Sequence, residues 1–269
     1  MSNFSVLMSV YVNTKPTHFF ECLNSINNQS LLPSEIIIVK DGELNFKLDD
    51  FILKFNELNI KIIINEVNLG LPRSLNKGLK YCCNEIIFRM DSDDVCLPDR
   101  FKLQFQRFEL NDKLAVLGTN VELIDNDSNE IVEERNVPLS NKDIRKIISF
   151  KNPFNHPSVV YKKSIILSVG GYSDLYLYED WYLWIKLSRL QEIEFENMNE
   201  KLLRYRIRTF NDRKGYKIVK TEFKFYSQLL SEGYINNSVF LLNVTSKFFI
   251  RIMPSFVYNF FKHKFDKIK

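Results

Sequence analysis

Two periodicities alternate along the first hundred residues of the chain. Short runs rich in β-branched residues, Ser5–Val12, Glu35–Val39, Lys61–Ile64 and Ile86–Met90, read as strands. Amphipathic stretches lie between them at Phe19–Ile26, Leu48–Leu58 and Ser74–Cys82, and read as helices, with Leu23 and Ile26 facing inward. Nearly continuous apolar strands alternating with helices predict an α/β fold whose parallel sheet is covered on both faces. Pro98 stands where the first turn of a helix over Asp99–Leu110 tolerates proline. The pattern then changes. Ala115–Ile124 and Glu130–Glu134 predict strands joined by the polar turn Asp125–Asn129, followed by a helix at Asn141–Phe150, a strand at Pro157–Tyr161 and a Trp-bearing helix at Tyr178–Leu190. From about Lys217 the chain reads as helical to its end, broken at Pro254. The boundary falls near 205–215, which separates an α/β body over residues 1–210 from a helical region over residues 211–269.

Composition narrows the class. With 269 residues, 45% apolar and 26% charged, the chain is neither disordered nor collagen-like and can bury a sizeable core. A net charge of +4 is too mild to imply nucleic acid, but it is unevenly placed: residues 247–269 hold six Lys and Arg residues against Asp266 alone. In the same region Asn243, Lys247, Arg251, Ser255, Asn259 and His263 recur every four residues on an otherwise apolar helix. A narrow polar stripe with excess cations predicts a helix lying on an anionic membrane surface, the alternative being packing against its own domain. The segment MSNFSVLMSVYVNTK has no basic start or small-residue cleavage site, and no stretch of 18 residues lacks charge, so neither a signal peptide nor a membrane span is expected. Cys22, Cys82, Cys83 and Cys96 form no C-x-x-C pair and read as reduced thiols of a cytoplasmic protein.

Candidate chemistry gathers at strand ends. In an open parallel sheet, ligands bind beyond the carboxyl ends of the strands. Asp41-Gly42 follows the second strand, Asn68-Leu69-Gly70 and Arg73 the third, and Asp91-Ser92-Asp93-Asp94 the fourth. Carboxylates packed this closely repel one another unless a cation or solvent screens them. A hard divalent ion such as Mg²⁺ or Mn²⁺ takes oxygen ligands and shares them with a substrate diphosphate; the bland reading is a solvated acidic turn capping the next helix. A calcium loop does not fit, because Cys96 stands where glycine is needed and no Glu closes the loop.

The blocks SVLMSVYVNTKPTHFFECLNSINNQ, IIIVKDG, NLGLPRSLNKGL, IIFRMDSDDVCLPDRF, HPSVVYKK, GGY and YEDWYLW occur in that order. Over residues 4–225 the chain resembles family 2 of the inverting nucleotide-sugar glycosyltransferases, and more narrowly the bacterial O-antigen and exopolysaccharide transferases of the amylovoran-biosynthesis type. The resemblance implies a GT-A fold, a Rossmann-like nucleotide-binding sheet merged with an acceptor-binding half, here with a helical C-terminal extension. It implies that Asp41 reads the uracil edge beside Val10, Tyr11 and Val12, with Asn68 nearby and Arg73 approaching the nucleotide or its phosphates. Asp91 and Asp93, flanking Ser92, match the D-x-D pair that holds Mn²⁺ or Mg²⁺ and the donor diphosphate, with Asp94 as a further acid. Glu179-Asp180 matches the pair whose Asp serves as general base. His156 is expected near donor or acceptor, or as a structural histidine; Trp181 either packs with Trp184 or stacks on an acceptor sugar. Tyr205-Arg206-Ile207-Arg208 puts Arg where many relatives have His, leaving Arg206, Arg208, Arg213 and Lys214 as diphosphate contacts or a solvated loop. The implied reaction moves galactose or glucose from a UDP-sugar to a polyprenyl-diphosphate-linked saccharide, by a peripheral protein on the inner face of the bacterial membrane. A nucleotidyltransferase would need a Gly-rich phosphate loop, and Tyr11–Lys15 has no glycine; a non-catalytic sugar-binding relative has no need of Asp91, Asp93, Glu179 and Asp180.

Overall fold

Strands and helices alternate through the first part of the chain. β1 (Phe4–Tyr11), β2 (Glu35–Asp41), β3 (Ile60–Asn65) and β4 (Ile86–Arg89) are separated by α1 (Pro16–Asn27), the short α2 (Asp49–Ile52) and α3 (Leu71–Tyr81). Then come β5 (Val95–Cys96), α4 (Arg100–Glu109), β6 (Leu114–Ile124), β7 (Ile131–Arg135), α5 (Asn141–Ile147), β8 (Val160–Lys162), α6 (Lys163–Ser168), α7 (Glu179–Leu187) and β9 (Glu194–Arg206). α8 (Tyr216–Ser231) and α9 (Asn237–Ile252) follow. This computed structural model describes residues 3–207 and 216–252, and the chain divides into compact units over residues 1–207 and 208–269.

β1 pairs in parallel with both β2 and β4, and β2 with β3. The parallel half expected from the sequence is therefore present, in the order β3-β2-β1-β4. The chain winds outward from β1 to β3 and returns to β4 on the other side of β1. That reversal opens a crevice at the carboxyl ends of β1 and β4, after Tyr11 and Arg89. The second half is mixed: β6 and β7 form the hairpin expected at 115–134, β8 is antiparallel to both β4 and β6, and β9 runs parallel to β6.

Packing fixes this half. α1 turns Phe19, Cys22, Leu23 and Ile26 inward at helical spacing. α3 lies so close to the sheet that a Cβ on Gly78 would overlap Leu7 and Val39, so only glycine allows the approach. Phe4, Phe88 and Phe101 form a triangle of rings, with centroids 4.6, 4.9 and 5.5 Å apart. The predicted helix over Leu48–Leu58 shrinks to one turn plus a 3-10 turn at Leu53–Phe55, because only Leu48, Phe55 and Leu58 bury there. The predicted strand at Pro157 starts instead at Val160, after a 3-10 turn over His156–Ser158.

In the second unit, Phe223 of α8 meets Phe240 of α9 edge-on at 6.0 Å. In α9, Asn243 of the polar stripe is buried, whereas Leu241, Leu242, Phe248 and Phe249 are exposed. The remainder of the predicted tail helix and the basic residues beyond it lie outside the described residues. Among the described residues, no helix is long and apolar enough to cross a membrane.

Candidate active site

The crevice is edged first by the end of β1. Val10 is buried in the core, Tyr11 is half-buried and Val12 is exposed. The Thr14 and Ser92 hydroxyls lie 3.4 Å apart, joining the β1 end to the acidic loop. At the end of β2, Asp41 is engaged by its own chain. Its carboxylate is 2% exposed and accepts from Asn65 Nδ2 at 2.9 Å, Leu69 N at 2.8 Å and Gly70 N at 3.0 Å. Those oxygens anchor the 68–70 loop from beneath. Gly42 makes the arrangement possible: at φ +83°, its missing Cβ leaves room for the main chain of Asn68. Asn68 is exposed and its side chain accepts from Gly70 N. Arg73 forks onto Asp174 with both groups well exposed. Such a pair contributes at most about 1 kcal/mol, so a diphosphate can displace the carboxylate.

The acidic loop follows β4. One carboxylate oxygen from each of Asp91, Asp93 and Asp94 falls within 4.8 Å of the others, and each is in a different state. Arg89 Nη2 donates to Asp91 Oδ1 at 2.6 Å. Asp94 is fully buried, and its Oδ1 accepts from Arg206 N at 2.8 Å. Its Oδ2 meets no donor among the described residues. Burial, then Asp93 and Asp91, push the Asp94 carboxyl well above the ordinary range. A buried oxygen without a donor, in an all-oxygen set, fits a hard divalent cation.

The second acidic group opens α7. Glu179 and Asp180 occupy its first turn, where the helix N-terminus favours negative charge. Asp180 is 8% exposed; Asn152 Nδ2 donates to its Oδ2 at 2.7 Å and Trp181 N to its Oδ1 at 2.7 Å. Burial raises the Asp180 pKa against these two hydrogen bonds. Burial and the neighbouring Asp180 charge push Glu179 up to about 7. His156 Nδ1 lies 4.0 Å from Asp180 Oδ2, and its Nε2 is 3.1 Å from the Tyr172 hydroxyl. Burial, reinforced by Arg89, holds the His156 pKa well below 6.5, so the imidazole is neutral.

Arg89 links the two groups and was missed in the sequence. It is fully buried at the end of β4, and its Nε and Nη1 meet no acceptor among the described residues. Its charge pulls the pKa of Asp94, Glu179 and Asp180 downward. The available signal was a charged residue inside the apolar run IIFRM, since a buried guanidinium requires a counter-charge. Arg100, also buried, donates from Nη2 to Arg89 O at 2.9 Å and Pro157 O at 2.8 Å. It thereby ties the end of β4 to the turn that carries His156.

Two expected ligand contacts are turned inward. Trp181 is buried and its Nε1 donates to Ile148 O at 2.6 Å, which makes it core packing and not a sugar platform. Arg206 is enclosed: Nη2 pairs with Glu21 at 2.7 Å, Nε donates to Asp93 O at 2.9 Å and Nη1 to Asn126 O at 3.1 Å. Its guanidinium braces the acidic loop and is not offered to a diphosphate. Arg208, Arg213 and Lys214 lie outside the described residues. Cys22, Cys82 and Cys96 are buried free thiols, and Cys83 is an exposed one.

A sheet whose strand order reverses at β1, with one acidic group after β4 and another opening α7, is consistent with the GT-A glycosyltransferase fold. The chain belongs to glycosyl transferase family 2, whose family model matches residues 5–167. It is 34% identical over 267 residues to the amylovoran biosynthesis glycosyltransferase AmsE of Erwinia amylovora, covering 97% of this chain and 98% of that one. It is also 34% identical over 255 residues to the UDP-Gal:alpha-D-GlcNAc-diphosphoundecaprenol beta-1,3-galactosyltransferase of Escherichia coli, covering 94% and 92% of the two chains. Among solved structures, S. aureus TarS superposes with a TM-score of 0.64 at 18% identity, over 85% of this chain and 40% of TarS. TarS 1–349 in complex with UDP-GlcNAc gives 0.62 at 19% identity, over 85% of this chain and 67% of that one. The protein is thus a glycosyltransferase of bacterial exopolysaccharide and O-antigen type, with the GT-A fold. A nucleotidyltransferase is excluded.

Proposed function

We propose that the enzyme transfers a hexose, galactose or glucose, from a UDP-sugar to a saccharide carried on a lipid diphosphate, with inversion. The observation that carries this reading is the division of the site into two carboxylate groups around Arg89. The acceptor oxygen attacks the anomeric carbon opposite UDP, the carbon–oxygen bond to UDP breaks with its electron pair, and the acceptor proton passes to Asp180. Asn152 and Trp181 N orient Asp180, and the neutral His156 beside it brings no competing charge. Asp93 and Asp91 would hold Mn²⁺ or Mg²⁺, which when bound neutralises charge on the departing diphosphate. Because Asp91 is already paired with Arg89, Asp93 carries the larger share. Arg73, on the exposed rim, meets the diphosphate by exchanging Asp174 for phosphate oxygen.

The printed activity of the E. coli relative, a galactosyl transfer to GlcNAc-diphosphoundecaprenol, supports the donor and acceptor classes, as does the UDP-GlcNAc complex of TarS for the donor. A lipid-borne acceptor supports action at the inner membrane face. The solvent-facing Leu241, Leu242, Phe248 and Phe249 of α9 support peripheral attachment to an anionic membrane. A panel of UDP-sugars against a synthetic GlcNAc-diphosphate lipid, with Mn²⁺ or with chelator, tests the whole reading. The expected result is one preferred hexose, an inverted linkage and loss of turnover in chelator; turnover undiminished by chelator contradicts the metal assignment.

A further inference from the structure

We infer that the turn Leu175–Tyr178 is the acceptor-recognition tip of this site, with Tyr176 and Leu177 gripping the saccharide that receives the sugar. The inference rests on the transferase reading above and names the residues that select its acceptor.

The loop between α6 and α7 is fastened along its length. Lys186 Nζ donates to Val169 O at 2.7 Å and Gly171 O at 2.8 Å. Asn76 holds both sides of the Tyr172 main chain, accepting from its N at 2.9 Å and donating to its O at 2.7 Å. Arg73 holds Asp174. Beyond these anchors the chain makes a four-residue turn, closed by Tyr178 N donating to Leu175 O at 3.2 Å. Leu177, the third residue of the turn, has φ +69°. That position of a type II turn belongs to glycine, and a branched side chain there is strained.

Burial could offset the strain, yet Leu177 is 40% exposed and Tyr176 is 64% exposed. The fold therefore keeps Leu177 in a strained conformation with much of its side chain in solvent, beside a largely exposed Tyr176. Strain held at an exposed turn points to a ligand. The neighbourhood identifies the occupant. Tyr178 caps α7, whose next residues are Glu179 and Asp180. A base must touch the hydroxyl it deprotonates, so the acceptor lies at the end of α7 that this turn borders. A pyranose ring offers a C–H face that an aromatic ring covers, and the tyrosine hydroxyl can bond to a neighbouring sugar oxygen.

The test is steady-state kinetics of the full chain at saturating UDP-sugar, with the synthetic GlcNAc-diphosphate lipid varied, for Tyr176→Ala, Tyr176→Phe and Leu177→Gly. Donor hydrolysis without acceptor and thermal unfolding serve as controls. Tyr176→Ala should raise the acceptor KM about tenfold, the worth of one aromatic contact, with kcat and donor hydrolysis little changed. Tyr176→Phe should keep most of the affinity. Leu177→Gly should raise Tm by relieving strain while still raising the acceptor KM, a combination that a merely structural turn does not produce. Wild-type acceptor KM in both Tyr176→Ala and Leu177→Gly overturns the proposal, as does a Tyr176→Ala defect shared equally by donor hydrolysis. If the wild type turns over no UDP-sugar, the transferase reading fails instead. Calorimetric binding of the same lipid to wild type and Tyr176→Ala then decides the tip by itself.

Discussion

The acidic loop after β4 and the acid pair opening α7 face the same physical problem, several carboxylates with little water, and they resolve it differently. In the loop, Asp91 takes a buried counter-ion, Arg89, while Asp94 is driven toward its neutral form with one oxygen unmet. On α7 the nearest side chains are neutral: Asn152 and the Trp181 amide hydrogen-bond Asp180, and a neutral His156 stands beside it. The carboxylates there keep raised proton affinities, Glu179 near about 7. In the proposed reading the loop receives a cation and the helix start receives a proton. The difference lies less in the residue types than in what each carboxylate is hydrogen-bonded to.

The largest effect is expected at Arg89, which pairs with Asp91 and whose charge also lowers the pKa of Glu179 and Asp180. Arg89→Met should cost about 3–5 kcal/mol of stability, because Asp91 is left charged and without its partner. It should also weaken UDP-sugar binding and lower kcat together, whereas Arg89→Lys recovers part of each. A Met variant that folds and loses only one of the two functions shows that the groups are not joined through this residue.

A smaller effect sharpens the helix side. A general base works ionised, so kcat should fall as pH drops through the raised carboxylates, near about 7 if Glu179 limits it. Asn152→Ala removes a hydrogen bond to the ionised form of Asp180. The acidic limb of the kcat profile should therefore move up by about one unit, equivalent to about 1.4 kcal/mol. A limb that stays in place removes Asn152 from the account of Asp180.

The smallest effect is one of stability. Glu179 has a folded pKa above its unfolded value, so the folded state binds the extra proton between those two values, and stability declines as pH rises through that window. Glu179→Gln should accordingly raise Tm by about 2–4 °C at pH 8, and by less at pH 5, where Glu179 is already protonated when folded. An equal gain at both pH values means that the burial of its charge is not the cause.

Much of this was legible in the sequence, and the exceptions have physical causes. The parallel half and both acidic groups stood out because β1 to β4 are almost uniformly apolar and end abruptly in polar residues. β9, the longest strand, was missed. Its outward Glu196 and Arg204 pair with Arg107 and Glu122, and a register shift between Met198 and Lys201 interrupts the period of two. Asp41 was given an outward role from its place in a motif, Trp181 was left between packing and sugar stacking, and Arg206 between a diphosphate contact and a solvated loop, because direction is a three-dimensional property. Each turns inward to main-chain groups: the amides of Leu69 and Gly70, the carbonyl of Ile148, and the carbonyls of Asp93 and Asn126. Asn152 lay in no recognised block, and nothing in its neighbours foretold a bond to Asp180.

The division of labour itself is tested most directly by measuring UDP-sugar affinity and single-turnover rate, in Mn²⁺, for Asp93→Ala and Asp180→Asn side by side. Asp93→Ala should lose donor binding. Asp180→Asn should bind the donor normally and turn over about 10²–10⁴-fold more slowly, the range spanned by general acid–base catalysis. An Asp180→Asn enzyme within about tenfold of wild type, a barrier change near 1.4 kcal/mol, or an Asp93→Ala enzyme with unchanged donor affinity would contradict the account.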